Sequence, residues 1–393
     1  MRVEELAMRP YLGAFGAFVS AVALMFATAQ TPAAQQKTAP PGPPPKKNPL
    51  LKLAEPWPEA DVLKQRKKDA EERSLFKSTE PLEFTLTGPF NAINKDHNPE
   101  STKRYPGVLT VAGADGKVKT ISVKLSARGH FRRMARNCSV VPLRIEFVKE
   151  EAAGTVFDGQ STLKLGTGCE SSKEFEQYTL REYLTYPIYH MLTPLSFRAR
   201  LARTTYVEEG SSKKSNPRYA FFIEHENDVA RRNEGRVVDL QRISFTDLEA
   251  ESLTRTMLFE YMVGNTDVSI WALHNVRFVQ NPDRKLFVVP YDFDISGFVH
   301  PPYAVPDRRL GLRSVVDRMY RGPCRTVEEF DKVAEGFRDK RKDMLSLIES
   351  MKDLDSSARS ETKDYLEAFF RQIDKPESIK KQFVNGCKPQ PTM

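Results

Sequence analysis

The sequence predicts an α+β fold of two lobes: a mostly antiparallel N-terminal sheet with one long helix, then a mainly helical C-terminal lobe that carries a hairpin. Three observations predict it. Between residues 82 and 223, short runs alternating apolar and polar side chains recur between turn-forming residues, which is the strand pattern. Among them, residues 172–192 repeat Leu180, Leu184 and Ile188 every fourth position beside Tyr183 and Met191, the apolar face of a helix. Further on, Thr246-Asp247-Leu248-Glu249 and Thr326-Val327-Glu328-Glu329 both fit the capping box that opens a helix, the second just ahead of Phe330, Val333 and Phe337.

Taken in order, Arg2 and Arg9 precede an uncharged apolar run over 11–26, and Ala27-Thr28-Ala29 before Gln30 has the small-x-small form of a signal-peptidase site. Residues 1–29 therefore read as a signal peptide, with an uncleaved anchor as the alternative because the stretch from Tyr11 to Ala29 carries no charge. Residues 30–58 are a Pro-rich linker, 59–227 the N-terminal lobe and 228–393 the C-terminal lobe. A charge-dense helix is expected over 59–76, and strands over 82–87, 108–112, 117–127, 142–148 and 161–166. After the long helix come strands over 200–207 and 218–223, the last closed by Glu224. Lys164 is out of phase with Leu163 and Leu165, so it points to the opposite face of its strand.

With 393 residues, 28% charged and 40% hydrophobic, the chain can bury a substantial core and is not compositionally disordered. A net charge of +8 admits anionic partners, but there is no nucleic-acid motif and no concentrated basic stripe beyond 128–136. Four cysteines without CxxC spacing argue against a zinc cluster and permit disulfides. Pairing Cys138 with Cys169 and Cys324 with Cys387 keeps each bridge within one lobe. No GxGxxG, GxSxG or HExxH is present.

The chain's densest chemistry lies in 264–297, GNTDVSIWALHNVRFVQNPDRKLFVVPYDFDISG. Strands over 276–280 and 285–290 flank Asn281-Pro282-Asp283-Arg284, a type I turn with Pro where φ is fixed. A turn centred on Pro282 and Asp283 sets Asn275 opposite Pro290, with Asp292 emerging beside Asn275 and Asp267 able to curl back to the same end. Three oxygen side chains then converge. Such a set suits Mg²⁺ held against a polyphosphate, with a free carboxylate to orient or deprotonate a hydroxyl.

The order GNTD, HN, hairpin, PYDFD resembles the catalytic core of kinase-like folds, and the chain is similar to the CotH kinase-like family, named for a spore-coat protein. Arg128-Gly129-His130-Phe131-Arg132-Arg133, Leu180-Arg181-Glu182-Tyr183 and Ala220-Phe221-Phe222-Ile223-Glu224 match that family's earlier motifs, so the resemblance spans about 82 to 297. It implies a two-lobed kinase-like fold and an exported phosphotransferase using ATP with Mg²⁺ or Mn²⁺ on hydroxyls of an envelope or surface protein. It makes Asp267 the catalytic carboxylate and Asn275, Asp292 and Asp294 the metal side. Arg128, Lys164 and Arg144 would meet phosphate, Glu182 would pair with Lys164, and Glu224 would sit near the ribose. One departure is that Asp267 and Asn275 are eight positions apart, against about five in the protein-kinase loop, which makes His274 an alternative polar neighbour. The alternatives are a catalytically inactive envelope or coat protein that binds a partner, and a metal-dependent hydrolase built on Asp292, Asp294, His274 and His300.

Overall fold

Alternation along the strands decides their faces, and in the computed structural model, which describes residues 51–387 except Ala114, it wraps them into a closed barrel. Helices α1 (Leu51–Ala54) and α2 (Ala60–Glu71) lead into β1 (Leu82–Gly88), α3 (Phe90–Asn94), β2 (Tyr105–Ala112), β3 (Val118–Ala127), β4 (Leu143–Phe147), α4 (Lys149–Ala152) and β5 (Thr162–Thr167). After α5 (Lys173–Leu192) come β6 (Ala199–Glu208) and β7 (Arg218–Ile223). The barrel order is β1-β2-β3-β4-β5-β7-β6. All neighbours are antiparallel except β1 and β6, whose parallel ladder from Leu82↔Ala202 to Gly88↔Glu208 closes the cylinder.

This corrects the expected two-lobed, kinase-like arrangement of a mostly antiparallel N-terminal sheet with one long helix and a mainly helical C-terminal lobe. Two physical causes are visible. The first is the β1–β6 pairing, a contact between distant segments that removes both sheet edges. The interior it encloses is filled by Phe84, Leu86, Ile121, Leu125, Leu165 and Phe222, with Phe222 ring centroids 5.2 Å from those of Phe84 and Phe157. The second is α5. From Thr179 to Tyr189 nearly every side chain of it is buried, so it is not an amphipathic helix lying on one sheet but a core element. Tyr183 and Tyr186 pack on Phe221, which points out of the barrel while Phe222 points in, and the same apolar cluster continues into the C-terminal helices.

Beyond the barrel, α6 (Glu226–Arg232) leads to β8 (Arg236–Val238), α7 (Ala250–Val263), β9 (Val276–Gln280) and β10 (Leu286–Pro290), which form a small sheet ordered β10-β9-β8. Helices α8 (Val327–Ser350), α9 (Ser356–Ile373) and α10 (Pro376–Ile379) follow, the last running into a π-helical turn over Lys380–Val384. The Thr326 capping box opens α8 as expected, but the Thr246 box does not open α7: there Glu249 caps the helix, accepting from the backbone N–H groups of Glu251 and Ser252. The end of the expected linker is held in the fold, since Arg236 donates to the carbonyls of Leu53 and Glu55 and covers the Trp57 ring. The expected signal peptide and most of the linker lie outside the described residues.

Cys138–Cys169 and Cys324–Cys387 form the two disulfides, the expected pairing. Both are compatible with an exported protein. Among the described residues no helix is long and apolar enough to cross a membrane.

Candidate functional site

The hairpin is shifted by one residue from the expected register: Val276, not Asn275, faces Pro290. Its loop is the reason. Arg284 N donates to Asn281 O at 2.9 Å to close the type I turn, but Arg284 itself takes φ 63°, and Asn281 then pairs with Lys285. A type I turn alone splays two strands, and a left-handed residue after it restores their twist. Asn275 consequently lies just past the ladder, where its carbonyl accepts from Tyr291 N at 3.0 Å.

Left-handed backbone recurs at this mouth, at Leu273 (φ 53°), Asn275 (φ 56°) and Asp292 (φ 68°). Asn and Asp enter that region readily, but a leucine there is strained, and such strain gathers at functional sites. Tyr186 of α5 fixes the Asp292 turn by accepting from its backbone N–H at 3.2 Å. Glu182, one helical turn earlier, lies on the same face.

Asp267 arrives from the other side. Gly264 ends α7 at φ 66°, where the Tyr365 hydroxyl occupies the space a Cβ would need. Asn265 bridges to Ser296 and accepts from Asp267 N at 2.9 Å, stitching the Asp267 loop to the segment just after Asp294. The half-exposed Asp267 carboxylate accepts from Asn275 Nδ2 at 3.0 Å and lies 3.3 Å from His274 Nε2. That hydrogen bond raises the His274 pKa above its ordinary value. Asp267 and Asn275 therefore meet despite their wider spacing.

Asp294 is buried, and Tyr303 donates to it at 3.2 Å. Burial first, then repulsion from Asp292, pushes its pKa up to about 6 against the pull of Arg132. Burial likewise carries Glu182 well above the carboxylate range, helped by Asp294 and Asp292. Arg132, buried among these acids, donates to the Thr167 carbonyl, and the Cys138–Cys169 bridge ties its loop to the segment after β5.

Facing the acids is a group of cations. Lys164 Nζ is buried 4.3 Å from the Tyr291 ring centroid and 3.5 Å from Glu226 Oε2, an ion-pair contact without a formed hydrogen bond. Burial lowers its pKa to about 8, with Arg128 and Arg277 pushing the same way and Glu226 opposing. Arg128 Nε is also buried without a hydrogen-bond partner, and the Arg277 guanidinium lies over the same Tyr291 ring, 4.7 Å from its centroid.

Two expected roles are altered by this geometry. Lys164 pairs with Glu226 of α6 rather than with Glu182 of the long helix. Glu224 is buried with both oxygens engaged by Arg198 and Arg232, at 2.7 to 3.0 Å, so its position is that of a structural ion pair rather than of a ribose contact. Arg144 is exposed opposite Lys164 on β4 and shares with it a small pocket that includes His225 and Glu226. His300, the other hydrolase candidate, lies on the loop after Asp294 at φ 53°. Sequence reasoning passed over Arg132, Tyr186, Glu226, Arg277 and Tyr303. Only Arg132 carried a signal, as part of the arginine-rich 128–136 run.

No protein-family model matches this chain, and no curated protein sequence matches it.

Proposed function

We propose that this cleft transfers phosphate from a magnesium nucleotide to a hydroxyl of an envelope or surface protein, as the resemblance to the CotH kinase-like family implies. The observation that carries the reading is the polarised cleft: two partly buried cations, with Lys164 Nζ and Arg128 Nε buried and making no hydrogen bond, beside the Asp292, Asp294 and Glu182 acids. Polyphosphate oxygens suit the first group and a hard cation the second.

The donor set fits Mg²⁺ or Mn²⁺. Asp292, Asp294 and the Asn275 side-chain oxygen are hard ligands, and burial first, then the Asp292 charge, raise the Asp294 pKa, a cost to its ionised form that a bound cation would offset. Among the described residues no three His, Cys, Asp or Glu side chains are placed to chelate a metal by themselves, so phosphate oxygens and Asn275 would complete the shell. When bound, the ion neutralises charge on the transferring phosphate. Asp267 orients the attacking hydroxyl and accepts its proton as the new O–P bond forms and the bond to the nucleotide's bridging oxygen breaks. Lys164 and Arg128 hold the phosphate oxygens in line.

A second reading, a non-catalytic binding protein, is favoured by one contact: Asn275 turns its amide nitrogen to Asp267 and occupies that carboxylate. Incubating the mature protein with γ-labelled ATP, Mg²⁺ and an envelope extract separates the two. The phosphotransfer reading expects labelled protein that disappears in both Asp267→Ala and Asp292→Ala. Absence of label from folded wild-type protein with either cation favours the binding protein.

A further inference from the structure

Residues 53–73 run against α6 and the segments on either side of it. Arg236 of β8 holds the Leu53 and Glu55 carbonyls, and Lys67 of α2 pairs with Glu234, just past α6, at 3.1 Å. Ahead of α6, Arg198 joins the Ala70 carbonyl, at 2.8 Å, to the Glu224 carboxylate, at 2.7 Å. The helix so enclosed has only seven residues, too few to be stable by itself, so its pose depends on what packs against it.

Arg73 is the contact of this segment that reaches the cleft. Its side chain is largely buried, and its Nε donates to the buried Asp228 of α6 at 3.2 Å, a carboxylate shared with Arg231 at 2.8 Å. The Arg73 guanidinium also fills the space a Cβ would need at Gly159, where φ is 73°. Gly159 lies in the loop that enters β5, the strand of Lys164, whereas Asp228 lies on the helix of Glu226. One side chain therefore touches both elements that build the 3.5 Å contact between Lys164 and Glu226.

We propose that Arg73 is a positioning residue for the cation side of the cleft: wedged between the β5 approach and α6, it holds Glu226 against Lys164. The segment over 53–73 is then a strap whose grip reaches the cleft through α6. This coupling needs no ligand, and it rests on the phosphotransfer reading only where nucleotide affinity is the readout.

The test is NMR of full mature protein labelled in its lysine side chains, with the Lys164 resonance identified by its loss in Lys164→Arg. Glu226 raises the Lys164 pKa against burial, so a Glu226 that retreats lets it fall below about 8. Arg73→Met and Glu226→Gln should each lower the titration midpoint, and the double variant should fall no further than Glu226→Gln alone. Losing a nearby cation would by itself raise the midpoint, so a fall reports geometry. ATP binding should weaken about fivefold in Arg73→Met, the scale of a coupled neighbouring pair. Arg73→Lys, which keeps a cation on Asp228, should recover most of both effects. Should Arg73→Met not fold, Asp228→Asn unpairs Arg73 without stranding a buried charge, and its effect on Lys164 should likewise vanish beside Glu226→Gln. A midpoint unchanged or raised in folded Arg73→Met, or a fall of equal size in the Glu226→Gln background, overturns the proposal. A fall that depends on Glu226 in a protein that takes up no ATP upholds the strap and removes phosphotransfer instead.

Discussion

Replacing Asp294 by Asn should stabilise the protein at neutral pH while removing a cation ligand. The sign follows from the direction of the shift. Asp294 titrates at about 6 in the fold against an ordinary 3.8, so the folded state favours the protonated acid. The associated stability is fully present below about pH 4 and is lost as pH rises through 6. Above that, a difference of about two pKa units amounts to about 3 kcal/mol of destabilisation in the wild type, at 1.36 kcal/mol per unit. Asparagine has the same shape, can accept the Tyr303 hydrogen bond, and also relieves Glu182 of one repelling neighbour. Urea unfolding at pH 4 and pH 8 without divalent cations measures the effect. The Asn variant should match wild type at pH 4 and exceed it by about 3 kcal/mol at pH 8. A variant that is less stable at pH 8, or a difference that does not change with pH, refutes the picture of Asp294 as a carboxylate ionised against burial and a like-charged neighbour.

Glu224→Ala should cost about 3–5 kcal/mol in urea unfolding, because it leaves the buried Arg232 and the largely buried Arg198 without their shared carboxylate; a loss under about 1 kcal/mol together with lost ATP binding would return Glu224 to the ligand. Arg284→Gly should stabilise by about 1 kcal/mol, since glycine takes the left-handed loop conformation without the clash arginine bears at φ 63°. Destabilisation by that change would mean the hairpin does not hold the observed register. Lys164 Nζ is buried against Tyr291, so an amine-selective acylating reagent should label it after the surface lysines at pH 8 even though its pKa is depressed to about 8, and mass spectrometry of partially labelled protein reads the order; labelling of Lys164 first contradicts a buried amine.

Local pattern carried the strands well. The 276–280 and 218–223 runs became β9 and β7 at the expected residues, and the others moved by one to three positions. What alternation cannot encode is which strands become neighbours, so the parallel β1–β6 pairing that closes the expected mostly antiparallel sheet into a barrel was invisible. The helix over 172–192 was legible in extent, yet its burial on all sides depends on Phe221 and the C-terminal helices packing around it. Asp267, Asn275, Asp292 and Asp294 stood out as candidates because they crowd one short stretch. The partner of Lys164 was misassigned because Glu226 stands on a seven-residue helix with no distinctive pattern. The register error came from a single residue, Arg284, whose left-handed conformation has no signal in a side chain that rarely adopts it. Arg132 and Tyr303 reach Asp294 from two loops far apart in sequence, a convergence that only the folded chain displays.

The most direct test of the polarised cleft is calorimetric titration of the mature protein with ATP, with and without Mg²⁺. The account predicts binding that strengthens with Mg²⁺ in wild type, loses that dependence in Asp292→Ala, weakens in Lys164→Met, and persists in Asp267→Ala, which touches the acceptor rather than the nucleotide. A wild-type protein folded by circular dichroism that takes up no ATP with either Mg²⁺ or Mn²⁺ contradicts it.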